Sequence, residues 1–244
     1  MKKFIIAAVC LAMCAGNARA FDNEPEQGFT FMGIFGMNVT SLQNHDYGAK
    51  AGAMLGARAD YVLPHAHGTY ITGGFDWTMK GGKGDFWKPI KVDGQNYDAT
   101  GKYSLHYFEV PIRVGFRYNL NDELGFFGEF GPYFSIGFAG KHRVDTGEDG
   151  SKFSDAESEY EFKAFKNKTD TEKPTFQRWD AGLGFRIGAE YNQHYNLMLG
   201  CDWGLTDIYR NNFRDEWKDA PEHANEKLSK VHNFNFSITV GYRF

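Results

Sequence analysis

The chain ends Asn235-Phe236-Ser237-Ile238-Thr239-Val240-Gly241-Tyr242-Arg243-Phe244, an unbroken alternation of polar and apolar residues that stops on a phenylalanine. A period of two is the mark of a strand whose two faces meet different media. Phe236, Ile238, Val240, Tyr242 and Phe244 share one face, and Ser237, Thr239, Gly241 and Arg243 share the other. A carboxylate directly after a lipid-facing aromatic is the usual closing strand of an outer-membrane β-barrel. Such a strand is also the expected handle for the barrel-assembly machinery.

The other end of the sequence agrees. Lys2 and Lys3 precede an apolar stretch from Phe4 to Ala15, followed by the small-residue pattern Ala18-Arg19-Ala20. This predicts a secretory signal peptide over residues 1–20, cleaved before Phe21. A lipoprotein leader ending at Cys14 is disfavoured by the bulky Met13 just before it. Removing residues 1–20 takes Lys2, Lys3 and Arg19 from the 27 bases and none of the 31 acids, which leaves 24 against 31 and a net charge of −7. That balance offers no footprint for a polyanion, so nucleic acid is excluded as a partner. Cys10 and Cys14 leave with the leader; Cys201 remains alone, and no intrachain disulfide forms.

Past the leader no apolar run is long enough for a spanning helix, and the mean hydropathy is −0.51. A closed barrel is the one spanning architecture that so polar a sequence permits, because its backbone hydrogen bonds all close between strands. Alternating segments predict eight strands near 28–39, 49–63, 68–82, 103–118, 124–139, 176–191, 195–210 and 232–244. Tight turns at Pro64-His65-Ala66-His67, Asn119–Glu123 and Asn192–His194 alternate with longer polar connections near 40–48, 83–102, 140–175 and 211–231. This is the grammar of one domain, residues 21–244, folded as an all-β, eight-stranded antiparallel up-and-down transmembrane barrel with long extracellular loops.

Faces are assigned strand by strand. Phe108, Val110, Ile112, Val114, Phe116 and Tyr118 point opposite to Glu109, Pro111, Arg113, Gly115 and Arg117. Eight strands leave room only for side chains inside, so the aromatic face must meet lipid. The inward face then carries Lys50, Arg58, Lys80, Arg113, Arg117, Arg178, Arg186 and Arg243 against Asp60, Asp76, Glu109, Glu129, Asp180, Glu190 and Asp202. Unpaired charge in a confined lumen is costly, so near-balance predicts an ion-paired plug rather than an open pore. The turn at 119–123 predicts a register with Arg113 opposite Glu129. Pro111 and Pro132 lie inside strands and predict bulges. Tyr61, Tyr118, Tyr191, Tyr195, Tyr242 and Phe244 form one aromatic girdle; Trp77, Phe108, Phe138, Trp179 and Trp203 form the other.

Five segments carry a resemblance to a known family: Ala51-Gly52-Ala53-Met54-Leu55-Gly56, Tyr107-Phe108-Glu109-Val110-Pro111-Ile112, Gly131-Pro132-Tyr133-Phe134-Ser135, Arg178-Trp179-Asp180-Ala181-Gly182-Leu183-Gly184 and Gly204-Leu205-Thr206-Asp207-Ile208. Together they resemble the PorT-type outer-membrane β-barrel proteins of Bacteroidota. The resemblance implies an eight-stranded outer-membrane barrel with no known catalytic residues. Some members are associated with protein secretion machinery, but nothing in these segments places the chain in that subgroup.

Chemistry-bearing residues are few. His65 and His67 offer two imidazoles where a zinc site needs three or four ligands, so a solvated turn is the better reading. Ser104 and His106 share a strand face near the outer leaflet, which keeps an acyl-modifying enzyme in contention, but no third group orients the imidazole. Gly182-Leu183-Gly184 lies within a strand and cradles no phosphate. Cys201 reads as a small lipid-facing filler. No cofactor is predicted.

The 140–175 loop holds nine acids (Asp145, Glu148, Asp149, Asp155, Glu157, Glu159, Glu161, Asp170 and Glu172) among seven bases, with Phe153, Tyr160, Phe162 and Phe165 as a possible contact surface. Long loops on a rigid scaffold are where a surface partner engages. The expected function is therefore a non-enzymatic barrel surrounded by outer-membrane lipid, with a plugged lumen and a structural or surface-contact role. A small-solute channel and a secretion-accessory barrel also fit the same strand pattern.

Overall fold

A computed structural model describes residues 27–43, 48–85, 90–92, 95–97, 100–145, 159–165, 176–209 and 230–244. In chain order the strands are β1 (Gly28–Gln43), β2 (Lys50–Val62), β3 (Thr69–Asp85), β4 (Ile90–Val92), β5 (Gln95–Tyr97), β6 (Thr100–Asn119), β7 (Leu124–Asp145), β8 (Glu159–Lys163), β9 (Trp179–Tyr191), β10 (Tyr195–Gly204) and β11 (His232–Arg243). Eight of them close on themselves in the order β1-β2-β3-β6-β7-β9-β10-β11, every neighbour antiparallel. β8 lies beyond the rim against β7, and β4 pairs with β5 alone. The predicted leader and most of the third loop's acids lie outside the described residues.

One row of rungs shows how the cylinder is built. It runs Phe29, Tyr61, Ile71, Val114, Phe130, Phe185, Cys201 and Phe236, and returns to β1 at Val39, ten residues beyond its start. With ordinary strand spacing and rise, eight strands at that stagger tilt by about 40° and enclose a cylinder of about 8 Å radius. That interior has room for side chains and little else. The row itself is apolar throughout, the composition of a wall facing hydrocarbon.

The side-chain faces follow the alternation. Phe35, Met37, Ile112, Phe130, Ile187, Leu197, Ile238 and Val240 stand 41–67% exposed, while Arg113, Arg186, Lys80, Asp76 and Glu109 are 0–1% exposed. A water-soluble barrel has the opposite arrangement. Short connections close one end. In one, His65 and His67 take φ of 59° and 47°; in another, Asn192 and Gln193 take 49° and 60°, the left-handed pair that a tight hairpin turn demands.

Four local expectations are corrected. Asn119 pairs with Gly125, and Glu129 lies opposite Gly115 rather than Arg113. The cause is Asn121, whose Oδ1 accepts hydrogen bonds from the backbone N–H groups of Glu123 and Leu124 and widens the turn. The slip is two residues, so both side chains keep their faces. Pro111 and Pro132 cause no bulge; rungs are lost near them, yet the register is unchanged on either side. A missing N–H removes one rung without calling for an extra residue. The register shift falls instead between His106 and Tyr107, opposite Phe138. Lastly, the strand expected from 176 begins at Trp179, and the one expected to reach 210 stops at Gly204. Beyond those points Phe176 and Tyr209 meet in an isolated bridge, with rings 5.5 Å apart, and turn over the top of the cylinder.

Candidate functional site

The inward face gathers charged residues from all around the barrel, arranged in tiers along the axis. Nearest the short turns, Arg117 and Arg243 reach Asp60 at 3.1 and 3.3 Å, and both also pair with Glu190, Arg117 at 3.7 Å. The Arg117 guanidinium lies 4.8 Å from the centre of the Tyr70 ring, and the Tyr70 hydroxyl donates to Glu129 at 2.9 Å. Gly115 makes this possible, since a methyl there would collide with the Tyr70 ring.

In the middle tier Arg58 and Arg186 converge on Asp76 at 2.6 and 3.6 Å, and Arg113 pairs with Asp202 at 3.1 Å. Asn235 donates to the other Asp202 oxygen at 3.0 Å and itself accepts from Asn38. Gly184 and Gly56 clear the space, because a side chain at either would strike the Asp202 or Asp76 carboxylate. The upper tier centres on Lys80, which reaches Glu109 at 2.9 Å and Asp180 at 3.2 Å between the rings of Tyr107 and Tyr133. Thr206 and Asn233 donate to Asp180 as well.

Arg178 does not join them. It is exposed, and its guanidinium donates to the Phe165 carbonyl at 3.1 Å. A bend at Arg178 precedes β9, so the period of two does not extend to it, and Arg178 and Trp179 are both exposed. Without Arg178 the buried charges among the described residues are seven bases and seven acids, in equal number. An unpaired ion here would cost several kcal/mol, so equality is what a closed interior requires.

Two apolar clusters bracket the tiers. Met32, Ile34, Val62, Tyr70, Phe127 and Met198 gather toward the short turns. At the other end Leu42, Tyr103, Leu105 and Tyr107 meet Phe165, Phe176, Ile208, Tyr209 and Val231, which come from the loop roots. Phe165 is 6% exposed, edge-on to Tyr107 at 5.8 Å. It belongs to this cap rather than to a surface for partners. Asp207 fixes the cap by accepting from the backbone N–H groups of Tyr209 and Val231. Sequence reasoning missed both clusters, because it sorted inward positions by charge. The available signal was apolar residues at inward parity, such as Met32 and Ile34 on β1.

The remaining candidates do not assemble into a site. His65 and His67 are exposed in their turn, and among the described residues no group of three metal-ligating side chains forms. Ser104 and His106 both face outward, and the His106 ring stacks on Trp77 at 5.8 Å. No helix among the described residues is long and apolar enough to cross a membrane.

A closed cylinder of eight strands, greasy outside and salt-rich within, is a transmembrane barrel of the outer-membrane type. The chain belongs to the outer membrane protein beta-barrel domain family, whose model matches residues 6–244, and it is a protein of the outer membrane of Gram-negative bacteria. Similar solved structures include Ail, the attachment invasion locus protein of Yersinia pestis, at 14% identity over 90% of this chain and 100% of that one, with a TM-score of 0.39. Neisserial surface protein A is 12% identical over 91% and 100%, with a TM-score of 0.41. OprG from Pseudomonas aeruginosa is 12% identical over 91% and 98%, with a TM-score of 0.43. No curated protein matches the chain.

Proposed function

We propose that this protein is a non-enzymatic barrel with a plugged lumen, which serves envelope integrity or surface contact through its extracellular loops at 83–102, 140–175 and 211–231. The observation that carries the reading is the filled interior: among the described residues, equal numbers of buried acids and bases, with an apolar cluster at each end. A permeant solute would have to displace both clusters and part several buried ion pairs. The stacking of His106 on Trp77 weighs against its use as a base toward Ser104, and hence against an acyl-modifying enzyme. On this reading the partners are lipid around the belt, the barrel-assembly machinery at the C-terminal strand, and a surface partner through the 140–175 loop. The PorT-type kinship within the family, with residues 1–20 as a cleaved leader, completes the proposal.

Planar-bilayer recording of the purified full chain tests it. The expected record is a flat baseline across applied voltage; steady, defined conductance steps would overturn the plug and favour a small-solute channel. Protease added to intact cells is expected to cut within 140–175, and protection of that segment would contradict its placement outside.

A further inference from the structure

On the outer wall, above the aromatic girdle, one side of the barrel differs from the rest. Lys83 of β3 and Lys102 of β6 are directly opposed rungs, and Lys141 of β7 lies opposite Ser104, two residues along from Lys102. All three lysines are exposed. On β3 the outward parity runs Phe75, Trp77, Met79 and on to Lys83; on β6 it runs Phe108, His106, Ser104, Lys102. Lys141 reaches this wall through the register shift opposite Phe138. Below the shift, odd positions of β7 such as Tyr133 and Ser135 point into the lumen; above it, Lys141 is Ser104's partner and points out. Bulges re-aim side chains in this way.

Like charges directly opposed across a ladder destabilise it unless an anion lies between them. Just beneath, Phe75, Phe108 and Phe138 form a continuous stack at 5.1 and 4.2 Å, flanked by Trp77 against His106. Aromatic girdles mark the depth at which headgroups begin, so the three lysines stand at the level of the leaflet's phosphates. On the opposite wall β10 and β11 reach the girdle with Trp203 and Phe234, and neither strand carries a lysine.

We propose that Lys83, Lys102 and Lys141, floored by Trp77, His106 and Phe138, form a binding site for the phosphorylated headgroup of an outer-leaflet lipid. The headgroup phosphate bridges the opposed lysines, and the acyl chains lie along the aromatic stack below. The site holds one class of lipid on one wall, in contrast to the unselective contact of the rest of the belt. It is independent of whether the lumen conducts.

Native mass spectrometry of the detergent-solubilised full chain reads this out directly, with bisphosphorylated lipid A, its dephosphorylated form and inorganic phosphate as the three probes. Wild type is expected to retain the bisphosphorylated lipid and to release the dephosphorylated one. The triple variant K83Q/K102Q/K141Q is expected to bind the former roughly a hundredfold more weakly, at about one interfacial charge's worth of attraction per lysine. Retention of heat-modifiable migration checks that the variant folds; if it does not, K102Q alone carries the test with a loss of roughly fivefold. Equal retention of both lipids by wild type, or undiminished retention by the variant, overturns the proposal. So does displacement of the lipid by an equimolar amount of inorganic phosphate, which would show a site for the free anion.

Discussion

Ile112 and Arg113 are neighbours on β6, yet the isoleucine is 49% exposed and the arginine 1%. The same inversion holds between Ile238 at 50% and Ser237 at 1% on β11. The two sides of this wall obey different rules. The outer face only has to be apolar, so Phe, Tyr, Ile, Val and Cys substitute for one another along a row of rungs. Each inner charge has to satisfy a specific partner across the lumen, because a stranded charge cannot reach water.

The inner face is the more vulnerable of the two. Asp202→Ala strands the Arg113 guanidinium, and we expect a loss of about 3–5 kcal/mol in urea titrations of the barrel folded in vesicles. Replacing both partners, as Arg113→Met with Asp202→Leu, is expected to recover most of that loss, since an apolar pair of similar volume is often neutral or better. If the double variant is as unstable as the single one, the two residues do not act as a pair. On the outer face, Ile112→Arg places a charge in hydrocarbon between the girdles and is expected to cost about 2–4 kcal/mol. A negligible effect there would mean that Ile112 does not meet lipid.

Smaller effects separate the faces more finely. Tyr70→Phe removes the hydroxyl donor to Glu129 and keeps the ring over Gly115, so a loss of about 1.5–3 kcal/mol follows from a hydrogen bond to a charged acceptor. Tyr195→Phe, on the exposed girdle, is the control and is expected to cost less. Smallest of all is the turn: His65→Gly relieves a left-handed backbone at φ 59° and is expected to gain about 1 kcal/mol or less, on neither face of the wall.

The face assignments were legible in the sequence because a period of two states them outright: Phe108 to Tyr118 against Glu109 to Arg117 needs no coordinates. Partners were not, because they depend on stagger. Arg113 meets Asp202, 89 residues away across the cylinder, and its expected neighbour Glu129 instead serves Tyr70. Parity also fails wherever the chain leaves the ladder, as at Arg178, or gains a residue, as at Phe138. The bulge went unseen because prolines advertise a lost rung, while an inserted residue in an apolar run leaves no mark. The apolar cap was hidden for a related reason. Phe165, Phe176 and Ile208 lie in segments that read as loop or strand end, and only closure of the barrel brings them over one mouth.

Apolar residues in this barrel fall into two populations, one against lipid and one sealed inside, and everything else about the molecule depends on that division. Methyl-labelled barrel in lipid nanodiscs containing a chain-bound nitroxide probes it without any substitution. Ile112, Ile238 and Val240 methyl signals are predicted to broaden strongly, while those of Met32, Ile34 and Met198 stay sharp. Uniform broadening of both sets, or protection of Ile112 and Ile238, would contradict the division.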